Sequence, residues 1–185
     1  MKPILPARAT LVAIALLASA GLAFASDLPT SKQTALGLYL SASEAAQFLQ
    51  ETPDAIMIDV RTPEEIDETG MAETVDALIP LAVLDHGRLI FNKDFLPGVA
   101  KLANDRKLVP DQPIVVICRS GNRSAEAVDA ISRLGFTRVY TVTDGFEGDR
   151  AATGNRNVNG WKNAGLPWRP QRASSCAPAR EGGSC

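Results

Sequence analysis

The feature that most constrains the fold is an apolar run at residues 113–117 that leads directly into a polar loop and then into an amphipathic segment. An uninterrupted run of aliphatic residues is typical of a strand that is covered on both faces. Downstream, apolar residues recur every three or four positions across residues 124–134, and Gly135 follows as a helix stop signal. This order of strand, loop and helix predicts a parallel sheet joined by crossover helices.

The rest of the chain repeats this alternation of strands and helices. Ser41 stands three residues before Glu44, and Thr62 stands three residues before Glu65, which is the spacing of a capping box at a helix start. In chain order we expect a helix from Ser41, a strand at 55–60, a helix from Thr62 to near Gly70, a strand at 77–81, a helix at 95–108 and a strand at 138–142. The pattern predicts an α/β domain with a mostly parallel central sheet and helices on both faces.

The beginning of the chain differs from the rest. A positively charged start precedes an uncharged run at residues 10–25 that is rich in Leu, Ala, Ile and Val. The small residues Ala23 and Ala25 predict a signal peptide over residues 1–25 that is cleaved before Ser26. An uncleaved anchor is the alternative, but the run is shorter than the roughly 20 residues that a spanning helix needs. We therefore expect an exported, periplasmic protein with no stable membrane span after cleavage.

The polar loop after the 113–117 run consists of Cys118, Arg119, Ser120, Gly121, Asn122 and Arg123, hereafter the Cys118 loop. Backbone N–H groups in a loop that curls into a helix N-terminus point at its centre, where the helix dipole adds positive potential. Such a pocket favours the thiolate form of Cys118, which is therefore a candidate nucleophile. We expect Arg119 and Arg123 to attract an oxyanion such as thiosulfate into the same pocket. An inert core cysteine would explain Cys118, but not its neighbours.

Three separated motifs resemble segments of the rhodanese family. The Cys118 loop together with Ser124 is similar to that family's active-site loop, and two further segments are similar to its early strand motif and its closing segment. The residues concerned are Ile58-Asp59-Val60-Arg61-Thr62-Pro63-Glu64-Glu65 for the strand motif, and Asp144-Gly145-Phe146, Gly160-Trp161 and Gly165-Leu166-Pro167-Trp168 for the closing segment.

The resemblance covers about residues 38–168 and implies a single rhodanese-like domain. We expect a polar lead at residues 26–37 before it and a flexible tail at residues 169–185 after it. Cys176 and Cys185 lie in that tail. In an oxidising compartment they are candidates for a disulfide with each other, or for attack on a sulfur atom bound at the nucleophile.

The resemblance also implies a three-layer α/β/α fold and a sulfurtransferase activity. Cys118 would take the outer sulfur of a donor such as thiosulfate, hold it as a persulfide, and pass it to a thiophilic acceptor such as cyanide or a thiol. The backbone amides of residues 119–123 would hold the persulfide. Asp59 and Arg61 would lie close enough to orient the loop, although an ion pair that closes the strand end explains these two residues equally well.

Two other functions remain open. A cysteine-dependent phosphatase or arsenate reductase uses a similar anion pocket, but such phosphatases place five residues between cysteine and arginine, whereas four separate Cys118 from Arg123. A non-catalytic or complex-dependent rhodanese-like module would bind a partner, or deliver sulfur only within a complex. The intact cysteine argues against this module without excluding it.

Composition and motif content argue against several other classes of function. The formal net charge is −2 at pH 7, without the basic surface that nucleic-acid-binding domains show. The single histidine, His86, lies in an Asp-His-Gly-Arg segment typical of an exposed turn. The chain has neither zinc-like ligand spacing nor a glycine-rich nucleotide motif, so we expect no metal and no cofactor.

Overall fold

The computed structural model of the protein describes residues 28–170. The predicted signal peptide at residues 1–25 and the tail cysteines Cys176 and Cys185 lie outside this range. Within it, no helix is both long enough and apolar enough to cross a membrane. The elements in chain order are a 3-10 helix (Thr30–Lys32), β1 (Tyr39–Leu40), α1 (Ala42–Glu51), β2 (Ile56–Asp59), α2 (Pro63–Thr69), β3 (Met71–Ala72), β4 (Ala77–Leu78), β5 (Ala82–Asp85), β6 (Arg88–Phe91), α3 (Phe95–Arg106), β7 (Ile114–Ile117), α4 (Asn122–Ser132), β8 (Val139–Val142) and β9 (Trp168–Arg169).

Five strands form one parallel sheet in the order β1-β8-β7-β2-β4. In its central pair, Ile58 of β2 lies beside Val116 of β7, and Asp59 lies beside Ile117. Parallel pairing places the carboxyl ends of these strands at one edge of the sheet. The predicted parallel central sheet is confirmed, and its order brings together the segments that follow β2, β7 and β8.

Helices cover both faces of the sheet. On one face, α3 and α4 pack against the strands through a core cluster that includes Phe95, Val116 and Ile131. On the other face, α1 and the closing segment around Trp161 pack against Val115. Successive strand residues point to opposite faces, which is why the neighbours Val115 and Val116 belong to different clusters. The predicted three-layer α/β/α architecture is confirmed.

Side-chain caps begin α1 and α2 where the sequence predicts them. At the start of α1, Glu44 Oε2 accepts the Ser41 N–H at 2.7 Å, while Ser41 Oγ accepts the Glu44 N–H. Thr62 and Glu65 make the same reciprocal bonds at the start of α2, with Pro63 as the first helical residue. A capping box depends on residues only three positions apart, so it can be recognised without knowledge of the fold.

The helix after the Cys118 loop begins two residues earlier than the predicted range of 124–134, since α4 spans Asn122–Ser132. Its N-cap is Gly121, which has φ 96° and makes no side-chain capping bond. The apolar periodicity begins only at Ala125, so the sequence pattern does not mark the first turn. The helix therefore extends into the Cys118 loop and shortens its irregular part to residues 118–121.

A β-hairpin that the sequence analysis did not predict follows the short strand β4. β5 and β6 pair antiparallel, with Leu84 beside Leu89, and the predicted strand at 77–81 is reduced to Ala77–Leu78. His86 lies in the hairpin turn with φ 46° and an exposed side chain, as predicted. Both hairpin faces bear exposed apolar residues, so the segment lacks the polar and apolar alternation that indicates a half-buried strand. The exposed residues are Leu84, Leu89, Ile90 and Phe91.

Both ends of the described chain pack on the domain. Lys32 is buried, and Leu36 packs against the core cluster beneath α3 and α4. Part of the predicted lead at residues 26–37 therefore packs against the domain. At the other end, Arg169 of β9 pairs with Met71 of β3, so regular structure extends one residue beyond position 168.

Candidate active site

Cys118 is the first residue after β7, at the carboxyl edge of the sheet. Its side chain is almost wholly buried, and Sγ accepts a hydrogen bond of 3.1 Å from the Gly121 N–H. Sγ also lies 3.5 Å from Ser124 Oγ in the first turn of α4. The sulfur atom therefore lies inside the curl of the Cys118 loop, against the N-terminal end of the helix.

The N-terminus of α4 has no side-chain cap, unlike those of α1 and α2. Its first turn also contains no acidic residue. The first N–H groups of a helix have no partner within it, because the carbonyl four residues earlier lies outside the helix. These groups and the helix dipole create a positive potential at the end of α4 that Cys118 Sγ approaches. Negative charge on the sulfur is therefore stabilised there.

Two glycines allow the Cys118 loop to lie directly against the turn that follows β8. Gly121 has φ 96°, and a Cβ atom on it would lie 2.0 Å from Thr143 O. Gly145 has φ 64°, and a Cβ atom on it would lie 2.6 Å from Cys118 O. The Phe146 N–H donates to that same carbonyl oxygen at 2.8 Å. Backbone contacts between loop and turn therefore determine where the sulfur atom lies.

Arg119 and Arg123, which we expected to attract an anion, each bind a carboxylate of the protein itself. Arg123 forms a bidentate pair with Glu65, with Nη1–Oε2 and Nη2–Oε1 distances of 2.7 and 2.6 Å. Arg119 pairs with Glu147, with Nε–Oε1 and Nη2–Oε2 distances of 3.0 and 3.1 Å. The sequence indicated Glu65 only as a capping residue, and it gave no signal for Glu147. Because both arginine charges are offset, the helix dipole and the backbone amides are the main source of positive potential.

The Glu65–Arg123 pair shifts the pKa of both partners. Burial by itself would raise the pKa of Glu65, but the hydrogen bond and charge of Arg123 outweigh burial and hold this pKa below its usual value. Burial would lower the pKa of Arg123, but the hydrogen bond and charge of Glu65 raise it. The pair is therefore charged at neutral pH and ties α2 to the first turn of α4.

Glu65→Gln tests the contribution of this ion pair to stability. Glutamine preserves the capping box but not the charge. Because the folded-state pKa of Glu65 lies below the unfolded value, its stabilising contribution is complete above about pH 4.3 and is lost as pH falls through the folded value. We expect the variant to be less stable by about 1–3 kcal/mol at pH 7, with the gap closing at acid pH. Urea unfolding across this pH range measures the gap, and a gap independent of pH would contradict the assignment.

Asp59, the last residue of β2, and Arg61 form a fully buried ion pair with an Nη2–Oδ2 distance of 2.7 Å. Arg61 also donates to Gly70 O at 2.9 Å, which ties the end of α2 to the strand. Its guanidinium carbon lies 4.1 Å from the centre of the Phe146 ring. The Phe146 N–H is in turn bonded to the Cys118 carbonyl, so the pair closes the strand end and is connected to the Cys118 loop through Phe146.

Two buried hydroxyl groups lie behind the Cys118 loop, whereas its own polar side chains are more exposed. Ser120 is half-buried and Asn122 is exposed. Ser124 Oγ accepts a hydrogen bond of 2.8 Å from Thr141 Oγ1 and donates to Gly121 O at 3.0 Å. Neither Ser124 nor Thr141 has a role that the sequence alone indicates, because a hydroxyl carries no local signal of its partner. The two hydroxyls thereby hold the Gly121 carbonyl group in place.

Asp144 holds the turn that contacts the Cys118 loop. Its Oδ1 accepts the Ala42 N–H at 2.7 Å, and its Oδ2 accepts the Gly160 N–H at 2.9 Å. Burial raises the pKa of Asp144, an effect that these amides and the charge of Lys32 oppose. The carboxylate thereby joins α1, the turn and the closing segment. Across residues 28–170, no three His, Cys, Asp or Glu side chains gather into a possible metal site.

Comparison with other protein sequences places this arrangement in a known context. A family model described as the Rhodanese-like domain matches residues 41–152, which include the Cys118 loop and the turn against it. An uncharacterised protein of Rickettsia conorii is 32% identical over 136 residues, which cover 70% of this chain and 95% of the relative. Thiosulfate sulfurtransferase GlpE of Pseudomonas syringae pv. syringae is 31% identical over 117 residues, covering 63% of this chain and 92% of the relative.

A solved structure has the same fold. The crystal structure of Rv0390 from M. tuberculosis aligns with a TM-score of 0.60 and 33% sequence identity. The alignment covers 71% of this chain and 96% of that protein. Nearly the whole of the solved protein is therefore matched.

Proposed function

Because the chain belongs to the rhodanese-like family, we propose that it is a sulfurtransferase in which Cys118 accepts a sulfur atom as a persulfide. One observation chiefly supports this proposal: Cys118 Sγ lies against the uncapped N-terminus of α4 and accepts the Gly121 N–H at 3.1 Å. Fixed backbone dipoles of this kind stabilise negative charge that develops beside them during a reaction. The 31% identical relative that is named as a thiosulfate sulfurtransferase supports thiosulfate as the donor.

In the first half-reaction, the Cys118 thiolate attacks the outer sulfur of thiosulfate. A bond forms between Sγ and that sulfur, while the bond between the two sulfur atoms of thiosulfate breaks. Sulfite leaves with the electron pair of the broken bond. The thiolate and the thiosulfate dianion are thereby converted into a persulfide anion and a sulfite dianion, so charge and atoms balance without an external oxidant or reductant.

In the second half-reaction, a thiophilic acceptor attacks the outer sulfur of the persulfide. Cyanide leaves as thiocyanate, and the electron pair of the broken S–S bond returns to Sγ as the thiolate. A thiol acceptor leaves as a persulfide after the same displacement, and its proton stays with the products. Over the two half-reactions the negative charge on the protein moves from Sγ to the outer sulfur and returns to Sγ.

The Cys118 loop contributes to both steps through its backbone. We propose that the backbone N–H groups of residues 119–123 bind the persulfide and the donor anion. Arg119 and Arg123 hold the loop in place through their carboxylate partners, Glu147 and Glu65. Asp59 and Arg61 are positioning residues, because they act on the loop through Phe146 and its bond to the Cys118 carbonyl.

The experiment that tests this function is the intact mass of the reduced, folded protein after incubation with thiosulfate. We expect a gain of about 32 Da, the mass of one sulfur atom, that a second incubation with cyanide removes. After alkylation and digestion, the added sulfur should map to the tryptic peptide 108–119, which contains Cys118. Thiocyanate should appear in the cyanide-treated sample in equal amount.

Each other outcome would contradict persulfide formation from thiosulfate at Cys118. No adduct on folded protein would favour a non-catalytic or complex-dependent rhodanese-like module, or a sulfur donor other than thiosulfate. An adduct on a peptide with Cys176 or Cys185 would transfer the sulfur-binding role to the tail. Hydrolysis of an aryl phosphate without any persulfide would favour a cysteine-dependent phosphatase.

We also propose that the protein is exported to the periplasm after removal of residues 1–25. The proposal is supported by the uncharged run at residues 10–25 and the small residues before Ser26. The same mass spectrum tests it when the protein is recovered from the periplasm of a bacterial host. A species that begins at Ser26 is expected, and a full-length species confined to the cytoplasm would contradict export.

A further inference from the structure

Lys32 is a buried cation beside the Cys118 loop, with a side chain only 9% exposed. It belongs to the 3-10 helix Thr30–Lys32, which packs against α4. Its Cδ atom lies 3.1 Å from the position that a Cβ atom on Gly121 would occupy. The lysine stem therefore runs along the residue whose N–H faces Cys118 Sγ. A helix dipole disfavours a cation at this end of α4, so an anion is needed to balance it.

The ion pair made by Lys32 differs from those of the two loop arginines. The carboxylates that bind these arginines are 15% and 12% exposed, and each is held by two contacts. Asp149, the partner of Lys32, is 41% exposed and joined to it by one contact of 2.7 Å. A carboxylate in contact with water loses its partner at low cost, whereas a buried carboxylate does not.

A second contact would keep Asp149 hydrogen-bonded after Lys32 had left it. Asn159 Nδ2 donates to Asp149 Oδ2 at 3.1 Å, and the Asp149 N–H donates to Asn159 Oδ1 at 2.8 Å. These bonds hold the aspartate in the loop at residues 148–160 independently of the lysine. Of Lys32, Arg119 and Arg123, Lys32 is therefore the cation that can most readily exchange its protein partner for a substrate anion.

We propose that Lys32 leaves Asp149 to bind the anionic sulfur donor at the Cys118 loop, and thereby sets the affinity for dianionic donors. The inference rests on the proposed sulfurtransferase function and adds a donor-binding residue from outside the Cys118 loop. Asp149 acts as an internal competitor that holds Lys32 when no donor is bound. The exchange forms no covalent bond, since one ion pair replaces another.

The two partners should act on donor affinity in opposite directions. Lys32→Met keeps the length of the stem but removes the charge, and we expect the KM for thiosulfate to rise about tenfold. Asp149→Asn removes the competitor, and we expect the same KM to fall about threefold. In both variants kcat should stay within about twofold of wild type, because the effect is on donor binding. Steady-state kinetics with cyanide as acceptor separates KM from kcat.

Three controls show whether charge is the cause. Lys101→Met removes an exposed lysine of α3 whose ion-pair partner, Asp105, belongs to the same helix. This variant should leave the KM unchanged. Lys32→Arg should recover most of the lost affinity. Benzenethiosulfonate bears one negative charge where thiosulfate bears two, so its KM should respond less to Lys32→Met.

If the Lys32–Asp149 pair only stabilises the packing of the 3-10 helix on the domain, the kinetic results would differ. Both variants would then raise the KM, or lower kcat and thermal stability together, with the same effect on both donors. Either pattern, or an unchanged KM in Lys32→Met, would overturn the proposal. A wild-type protein that forms no persulfide would instead refute the sulfurtransferase function, which the mass measurement detects before any variant is compared.

Discussion

Cys118→Ala is expected to lower the rate of sulfur transfer from thiosulfate to cyanide at least about a thousandfold. Alanine has no sulfur atom to form the persulfide, and no neighbouring side chain can replace it. Ser124 Oγ lies 3.5 Å from Sγ, but it is buried and already bonded to Thr141 and Gly121. Initial rates of thiocyanate formation measure the effect. The intact mass of the variant after incubation with thiosulfate should show no added sulfur.

The fold should survive this substitution, which separates loss of chemistry from loss of structure. The thiol is small, and its removal from the core is expected to cost about 1 kcal/mol, against a domain stability of about 5–15 kcal/mol. Urea unfolding of Cys118→Ala should therefore remain cooperative. The double variant Cys176→Ser/Cys185→Ser is the matched control and should keep wild-type rates. Turnover in Cys118→Ala within tenfold of wild type would end the proposed mechanism.

Much of the fold could be predicted from sequence because its signals are local. The capping boxes of α1 and α2 each depend on two residues three positions apart, and the strand at 113–117 depends on its own composition alone. The Cys118 loop is also contiguous, so its position between a buried strand and a helix is visible in the sequence. The hairpin formed by β5 and β6 was missed because its apolar residues show no alternation.

The partners of the charged groups could not be predicted, because they are distant in sequence. Glu65 and Arg123 are 58 positions apart, and Lys32 and Asp149 are 117 apart. Each residue alone is typical of a solvated surface charge. The sheet order, which places the segments after β2, β7 and β8 side by side, brings Glu65 next to Arg123, and packing of the 3-10 helix against α4 places Lys32 beside the Cys118 loop. Arg123 was therefore expected to be free for an anion, whereas the structure shows it bound to Glu65.

Gly145→Ala is expected to have the second largest effect, although residue 145 makes no side-chain contact with the substrate. The new Cβ atom would lie 2.6 Å from three backbone atoms of the Cys118 loop, the Cys118 oxygen, the Arg119 carbonyl carbon and the Ser120 nitrogen. None of these can move without displacing the loop. We expect stability to fall by about 2–5 kcal/mol, from overpacking and left-handed backbone strain together. Displacement of the sulfur atom from the helix amides should lower kcat/KM about a hundredfold.

Gly37→Ala is the matched control, because it separates backbone strain from displacement of the loop. Gly37 has φ 64°, the same value as Gly145, but a Cβ atom on it would meet nothing within 4 Å. The free energy of unfolding of this variant should fall only by the cost of the left-handed backbone, about 1–2 kcal/mol, and its turnover should be unchanged. Urea unfolding and kcat/KM measured on both variants give the comparison. If Gly145→Ala matched Gly37→Ala in turnover, backbone contact between the turn and the Cys118 loop would not be what places the sulfur atom.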